Sequence, residues 1–509
     1  MALDQLLEGY AVAASVPALT VTGLNLDSRR VSKGEVYLAL KGTLNHGLQF
    51  AANAEAAGAC AVLVDVADLE AGDEHLATLE LPVIPVRNLA DVAGPLASRF
   101  FGHPTHELEV CGVTGTDGKT SVCRFISEAL REQGIVTGYI GTIGWGVDDE
   151  LEPNPLTTPD PVTLQRMFAS LRQRGATVVA LEVSSHALSQ GRVNGVSFDV
   201  AVLTNLGRDH LDYHGSVENY SAAKEKLFAW PGLAGVVLNL DDDLGRTLNL
   251  KIAATGSGPT VMGYSTTPER KTECSEVVLA GNIVADENGL SFDLHDATWH
   301  HRLCSPLLGR FNVQNLLASY GALRLLGVAA NDASNQLSRL RSVPGRMEHF
   351  TTAGAANAVI DFAHTPQALE AAINSLRPHC RGRLIVVFGC GGDRDTGKRP
   401  LMGSVAARLA DVVIVTDDNP RTEPSQDIIR EIMLGIKDTS TTTVISDRGK
   451  AITEALQDAA NDDWVLIAGK GHEDYQVIGT TRYDYSDRAL VEDYMSRHAQ
   501  RAGVCGGEG

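Results

Sequence analysis

The chain has 509 residues, 44% of them hydrophobic, and a formal net charge of −20. At roughly 100–200 residues per domain that length suggests three domains, or two large ones, and the apolar share argues against a disordered chain. The acidic balance argues against nucleic acid or an anionic membrane as partner, so an anionic substrate would need a placed Lys, Arg or metal ion.

The N-terminal stretch from Met1 to Leu19 lacks a basic segment, and no run of 18 apolar residues occurs. No signal peptide and no membrane span are expected, and the cytoplasm follows. The eight cysteines form no CxxC pair, so free, buried thiols are expected rather than a zinc or redox motif.

In chain order, Val36–Leu40 reads as a strand, Phe50–Gly58 as a helix and Cys60–Val64 as the next strand. His103-Pro104-Thr105 reads as a linker that ends a small N-terminal α/β domain, residues 1–106. The second domain, 107–342, opens with strand Leu108–Val113, a Gly-rich turn and a helix from Thr120 to Gln133. Apolar runs follow at Thr177–Val183, Asp199–Thr204 and Gly235–Asn239. Strands alternating with helices predict a central parallel sheet covered on both faces. A third domain, 343–509, repeats the rhythm at Ala358–Asp361, Arg383–Phe388, Asp411–Thr416, Thr442–Ile445 and Trp464–Ala468. It predicts a doubly wound, Rossmann-like sheet with ligand loops at the strand C-termini. The fold class is therefore α/β.

Gly112-Val113-Thr114-Gly115-Thr116-Asp117-Gly118-Lys119-Thr120 lies between a strand and a helix, with Ser121 next. Its glycines can turn backbone N–H groups toward a phosphate, which the helix N-terminus also favours. Lys119 would reach the terminal phosphates and Thr120 a magnesium ion. The strict phosphate-loop pattern fails at Val113, so an ordinary strand–helix turn is the bland alternative. Glu182, ending its strand, suits magnesium, which prefers oxygen ligands. Asp209-His210-Leu211-Asp212-Tyr213-His214 could equally be read as a zinc or iron set, or as a polar loop with capping aspartates.

Thr-Gly-Thr-x-Gly-Lys-Thr resembles the loop of the Mur ligases and folylpolyglutamate synthases. Tyr220-Ser221-Ala222-Ala223-Lys224 then resembles the Mur ligase segment whose lysine is carbamylated, with Lys226 the lesser candidate. The resemblance implies that Lys224, as carboxylysine, together with Glu182 and His210, holds the second of two magnesium ions. It implies adenine contacts at Asn312 and Asn315, ribose and phosphate contacts at Asp361, and an Arg346 that approaches the γ-phosphate after domain closure. Asp418-Asn419-Pro420-Arg421 with Gly469-Lys470-Gly471-His472-Glu473 resembles the members that add meso-diaminopimelate. There Arg394, Asp418, Asn419, Pro420, Arg421, Gly469 and Glu473 are implied contacts of the amino acid. Leu26, Ser28, Thr43, Leu44 and Asn45 resemble the uridine site, the 43–45 stretch only in position. Thr157, Thr158, Ser184, Gln190 and Arg192 match the muramoyl-peptide contacts.

The implied activity is ATP-dependent addition of meso-diaminopimelate to a UDP-linked muramoyl dipeptide, by a monomer with small-molecule partners only. A folylpolyglutamate synthase and a nucleotide-switch module are the competing readings. The N-terminal block and Asp-Asn-Pro-Arg count against the first. The Glu182, His210 and Lys224 set counts against the second.

Overall fold

A computed structural model describes residues 1–12, 16–42, 45–69, 76, 78–154, 156–267 and 276–505, without side chains beyond residue 500. Contacts divide the chain into two compact units. The first comprises Met1–Tyr264, Lys271–Val277 and Ala318–Val328; the second comprises Ser265–Arg270, Val278–Leu317 and Ala329–Gly509.

The first unit begins with a parallel sheet in the order β1 (Gly23–Asn25), β2 (Glu35–Leu38), β3 (Ala61–Asp65), β4 (Val83–Val86). Helix Leu89–Phe100 buries Leu89, Ala93, Leu96 and Ala97 in a core shared with this sheet. The predicted linker lies between helix Leu89–Phe100 and the next sheet and forms a 3-10 turn, Pro104–His106, with Pro104 and Thr105 buried. Its hydroxyl explains the packing: the Ser197 amide donates to Thr105 Oγ1 at 3.1 Å.

The larger sheet of this unit contains β5 (Glu109–Thr114), β6 (Thr137–Gly141), β7 (Gly144–Val147), β8 (Glu150–Glu152), β9 (Val178–Glu182), β10 (Val200–Leu203), β11 (Gly235–Asn239) and β12 (Thr260–Ser265). Their spatial order is β12-β11-β10-β5-β9-β6-β7-β8. The strands from β12 through β6 run parallel, and β7 and β8 add an antiparallel edge. Strands β9, β10 and β11 are buried at every residue, which their apolar runs anticipate up to the polar ends Glu182 and Asn239. Because β5, β9 and β10 are parallel neighbours, their C-terminal ends share one sheet edge. The phosphate loop, Glu182 and Thr204-Asn205 emerge there.

The second unit contains an antiparallel set, β13 (Glu276–Asp286), β14 (Gly289–His295) and β15 (His300–Ser305), a stretch in which the sequence reading named no element. Its second sheet runs β16 (Glu348–Phe350), β17 (Asn357–Asp361), β21 (Trp464–Ala468), β18 (Leu384–Phe388), β19 (Val412–Val415), β20 (Thr442–Val444). All pairs are parallel except β16 with β17. Apolar clusters fill both faces: Phe388, Met402 and Ile432 on one, Ile385, Ile452 and Val491 on the other. A short hairpin, β22 (Tyr475–Ile478) and β23 (Thr481–Asp484), follows β21. The predicted strands match the observed ones within one or two residues.

Cys60, Cys111, Cys123, Cys304, Cys380 and Cys390 are free. Cys111, Cys123 and Cys390 are buried as expected. Cys60 and Cys380 are half-buried, and Cys304 is exposed because it lies on the outward face of β15.

Candidate active site

The phosphate loop is shaped by two glycines. Gly115 has φ +153° and Gly118 has φ +83°. A Cβ at Gly115 would overlap the Thr204 hydroxyl. Helix Lys119–Arg131 starts directly after Gly118, so its first N–H groups have no intrahelical acceptor and suit an anion. Asn205 Oδ1 accepts from the Thr116 and Asp117 amides at 3.1 and 2.9 Å, which fixes the loop's outer half. Lys119 Nζ lies back across the loop, donating to the Gly115 and Thr116 carbonyls at 2.9 Å each.

Thr120 and Glu182 meet as the sequence predicts. Thr120 Oγ1 donates to Glu182 Oε2 at 2.9 Å, and Glu182 is fully buried. Its other oxygen accepts from Tyr139 OH at 2.5 Å and from the Thr142 amide at 2.9 Å. A buried carboxylate beside a threonine hydroxyl is a hard oxygen donor set, and it fits a magnesium ion.

Lys224 lies on helix Val217–Phe228 and is 1% exposed. Its Nζ donates to the Gly115 carbonyl at 2.7 Å, the same oxygen that Lys119 engages. It also stands 4.4 Å from the centre of the Tyr220 ring. Burial pushes its pKa down to about 6, and the nearby Lys119 charge acts in the same direction. Lys226, two residues on, is exposed, which favours Lys224 as the reactive amine.

His210 stands apart from this group. It is exposed in a left-handed conformation, φ +51°, and its Nε2 lies 3.4 Å from Asp209. Its ring meets His186 at 4.7 Å and Tyr220 at 6.4 Å, but it makes no hydrogen bond to Glu182 or Lys224.

The muramoyl-peptide candidates form one connected network. Thr157 Oγ1 lies 3.1 Å from Thr142 Oγ1, which reaches Glu182 Oε2 at 3.1 Å. Thr158 Oγ1 donates to the Glu182 carbonyl at 2.7 Å and accepts from the Ser184 amide at 3.0 Å. Arg192 donates to the Thr158 carbonyl at 3.0 Å and to Gln190 Oε1 at 2.8 Å. In the loops of the N-terminal sheet, Ser28 is buried, Leu26 half-buried and Asn45 exposed. Thr43 and Leu44 lie outside the described residues.

In the second unit Asn312 and Asn315 are buried and bonded to each other at 2.8 Å. Asp361 accepts from the Met347 and Ala363 amides at 2.9 Å each, and burial raises its pKa. Arg346 lies 5.0 Å over the Phe362 ring. The C-terminal ends of β19 and β21 bring together Asp418–Arg421 and Gly469–Glu473. Asn419 Nδ2 donates to Glu473 Oε2 at 3.0 Å. Gly469, φ +120°, leaves no room for a Cβ beside Asp418 Oδ2. Arg421 Nη1 donates to the Gly392 carbonyl at 2.8 Å, next to the loop that carries exposed Arg394, while Pro420 is buried.

Sequence reasoning assigned no role to Tyr139, Thr142, Asn205 or Tyr220. Tyr139 carries the clearest signal, because a tyrosine inside a buried strand needs a partner for its hydroxyl. Among the described residues, one further set has metal-ligand spacing: Asp293, His295 and His300 on β14 and β15. Its carboxylate is already engaged by Arg302 at 2.9 Å and Asn282 at 2.6 Å.

The chain is 46% identical over 474 residues to the UDP-N-acetylmuramoyl-L-alanyl-D-glutamate–2,6-diaminopimelate ligase of Pseudomonas aeruginosa, covering 93% of this chain and 95% of the relative. It belongs to the Mur ligase family. Three family models match it: the Mur ligase family catalytic domain over residues 20–101, the Mur ligase middle domain over 113–323, and the Mur ligase glutamate ligase domain over 345–471. The equivalent ligase of Xanthomonas campestris pv. campestris is 47% identical over 496 residues, 96% of each chain. A solved structure of such a diaminopimelate ligase superposes on this Mur ligase with a TM-score of 0.72 at 34% identity, covering 98% and 99% of the two chains. The MurF ligase of Thermotoga maritima, in complex with ADP, is 18% identical with a TM-score of 0.60, covering 94% and 98%, and shares the fold.

Proposed function

We propose that this Mur ligase joins meso-2,6-diaminopimelate to UDP-N-acetylmuramoyl-L-alanyl-D-glutamate, with cleavage of ATP to ADP and phosphate, in the synthesis of peptidoglycan precursors. The observation that carries the reading is the junction of Asp418–Arg421 with Gly469–Glu473 at one strand edge, in a chain alike over nearly its whole length to diaminopimelate ligases. The three family matches also support three domains, 1–106, 107–342 and 343–509.

A carboxylate is a poor electrophile, so the D-glutamate side chain must first become an acyl phosphate. The loop from Gly115 to Ser121 binds the ATP phosphates. Lys119 gives up its loop carbonyls and follows the transferring group, stabilising the charge that develops. Asn312 and Asn315 hold the adenine, Asp361 the ribose, and Arg346 the γ-phosphate. Thr120, Glu182, His210 and carboxylated Lys224 would hold two magnesium ions, which neutralise charge on the phosphoryl oxygens. Thr157, Thr158, Ser184, Gln190 and Arg192 hold the muramoyl peptide, and Leu26, Ser28, Thr43, Leu44 and Asn45 the uridine end. Arg394, Asp418, Asn419, Pro420, Arg421, Gly469 and Glu473 orient the diamino acid. Its neutral amine attacks the acyl carbon, the tetrahedral intermediate collapses, and phosphate leaves.

The reading includes a monomer in the cytoplasm; among the described residues no helix is long and apolar enough to cross a membrane. Phosphate release is the test. It should require the nucleotide dipeptide and an amino acid together, and an amino-acid screen should select meso-diaminopimelate. Release with the nucleotide dipeptide and lysine alone would overturn the substrate assignment.

A further inference from the structure

Lys470 is fully buried between the two amino-acid loops, yet no contact to the diamino acid is assigned to it. Its Nζ donates to Asn419 Oδ1 at 2.9 Å and to the Tyr475 carbonyl at 2.8 Å, and it stands 3.5 Å from Glu473 Oε2. An ammonium can only donate. The Val477 amide, also only a donor, reaches the same Asn419 oxygen at 2.9 Å. With two obligate donors on Oδ1, the Asn419 amide has one allowed orientation. Its Nδ2 must then face Glu473, to which it donates at 3.0 Å. Tyr475 OH adds a donor to the second Glu473 oxygen at 3.4 Å. The Asp418 carbonyl and the Arg421 backbone are tied to the same hairpin, through Gln476 at 2.7 Å and Val477 at 3.0 Å.

We infer that Lys470 is a positioning residue for the diamino acid: it fixes the donor and acceptor polarity of Asn419 and the placement of Glu473, so that the pocket offers a fixed carboxylate to a substrate ammonium. The inference rests on the functional reading above, because it assigns these loops to the amino-acid substrate. Burying an ammonium is costly unless its protons are used. Here its two hydrogen bonds join the loop after β21 to the loop after β19 and to the hairpin that follows. The residue therefore acts on the mutual geometry of the two loops and touches no reacting atom.

The test compares wild type with Lys470→Met and Lys470→Gln, each checked for an intact thermal transition. Steady-state constants are measured separately for ATP, the nucleotide dipeptide and the amino acid. Losing a charge-assisted hydrogen bond that orients a binding group corresponds to about a 10- to 100-fold effect. The expected result for Lys470→Met is a KM for the amino acid raised by that factor, with the other two KM values changed less than about threefold. Lys470→Gln, which keeps a donor, should recover part of the loss, and it carries the test alone if Lys470→Met fails to fold. Combined with Asn419→Ala, Lys470→Met should be non-additive, because the two act on one network. Equal loss for all three substrates, or additivity with Asn419→Ala, overturns the inference. The amino-acid screen on wild type separates the two levels. If wild type selects another amino acid, the functional reading fails, and the KM for that amino acid still decides the role of Lys470.

Discussion

The amine of Lys224 should capture carbon dioxide. Burial, reinforced by the Lys119 charge, lowers its pKa from 10.5 to about 6. At pH 7.5 the neutral fraction then rises from roughly one part in a thousand to about 97%, a gain of about a thousandfold in nucleophilic amine. The amine adds to CO2, forms a C–N bond and releases one proton, leaving an anion in reach of the phosphate loop. The sign follows from the direction of the shift. As pH falls through about 6 the amine reprotonates, so the adduct should be present above that pH and lost below it. Carbon-13 NMR of the enzyme equilibrated with labelled bicarbonate should show a carbamate resonance at pH 8. The resonance should vanish at pH 5.5, and in Lys224→Met at any pH. Phosphate release by Lys224→Met should fall on the order of a hundredfold or more, with ATP affinity nearly unchanged. A resonance that persists in Lys224→Met, or a fully active variant, would refute the reasoning.

The same shift predicts a stability slope. In CO2-free buffer the unfolded chain binds one more proton than the folded chain between pH 6 and 10.5, so stability should rise with pH across that window. Urea unfolding of Lys224→Met should lack about 2–3 kcal/mol of the wild-type gain between pH 6.5 and 8.5, and an unchanged slope would count against the buried neutral amine. Tyr139→Phe removes a 2.5 Å hydrogen bond to Glu182, so the magnesium concentration for half-maximal rate should rise about 10- to 100-fold; no change would mean that Glu182 serves no metal. Arg421→Ala should reduce the preference for diaminopimelate over lysine by about 10- to 100-fold, the effect of one charge-assisted contact to the extra carboxylate. A half-buried guanidinium already bonded to Gly392 does not support more, and a retained preference would point to Arg394. Asp487→Ala strands the fully buried Arg448, whose bidentate partner it is at 2.7 and 2.8 Å. It should cost about 3–5 kcal/mol in urea unfolding, and an unchanged midpoint would refute that.

The sequence made the strand ends legible because the chemistry of this fold sits where apolar runs stop. Glu182 closes one such run, Asp361 and Asp418 end or follow others, and the Gly-rich loop announces the phosphate site. The partners of those residues were less legible. The hydrogen bond of Tyr139 to Glu182 depends on β6 lying beside β9 in the register Ile140 with Leu181, and no local spacing encodes that pairing. Likewise, the fixed amide of Asn419 depends on Lys470 and Val477, more than fifty residues away. The antiparallel strands β13 to β15 were missed for a different reason. Their alternation is visible in Val278, Ala280, Phe292 and Leu294, all buried, but flanking charged residues dilute it. His210 was assigned through the family resemblance, and its exposed, left-handed position belongs to a loop whose conformation that resemblance does not describe.

The side chains at the phosphate loop are already engaged with one another, while the first amides of the helix after Gly118 have no intrahelical acceptor. Lys119 bonds the Gly115 and Thr116 carbonyls, Lys224 shares the Gly115 carbonyl, and Thr120 bonds Glu182. An incoming phosphate exchanges these bonds for others, so the loss of each charge-assisted bond of Lys119, about 1.5–3 kcal/mol, is offset by a gain of the same kind. The larger change is electrostatic. While Lys119 rests on Gly115, its charge presses on Lys224 and helps keep that amine neutral. A phosphate that draws Lys119 away and screens its charge removes that smaller contribution, while burial, the larger cause, still holds the Lys224 amine below its ordinary pKa. Once formed, the carbamate is an anion beside the Lys119 cation, so the charge that helped keep the amine neutral becomes one that retains the adduct.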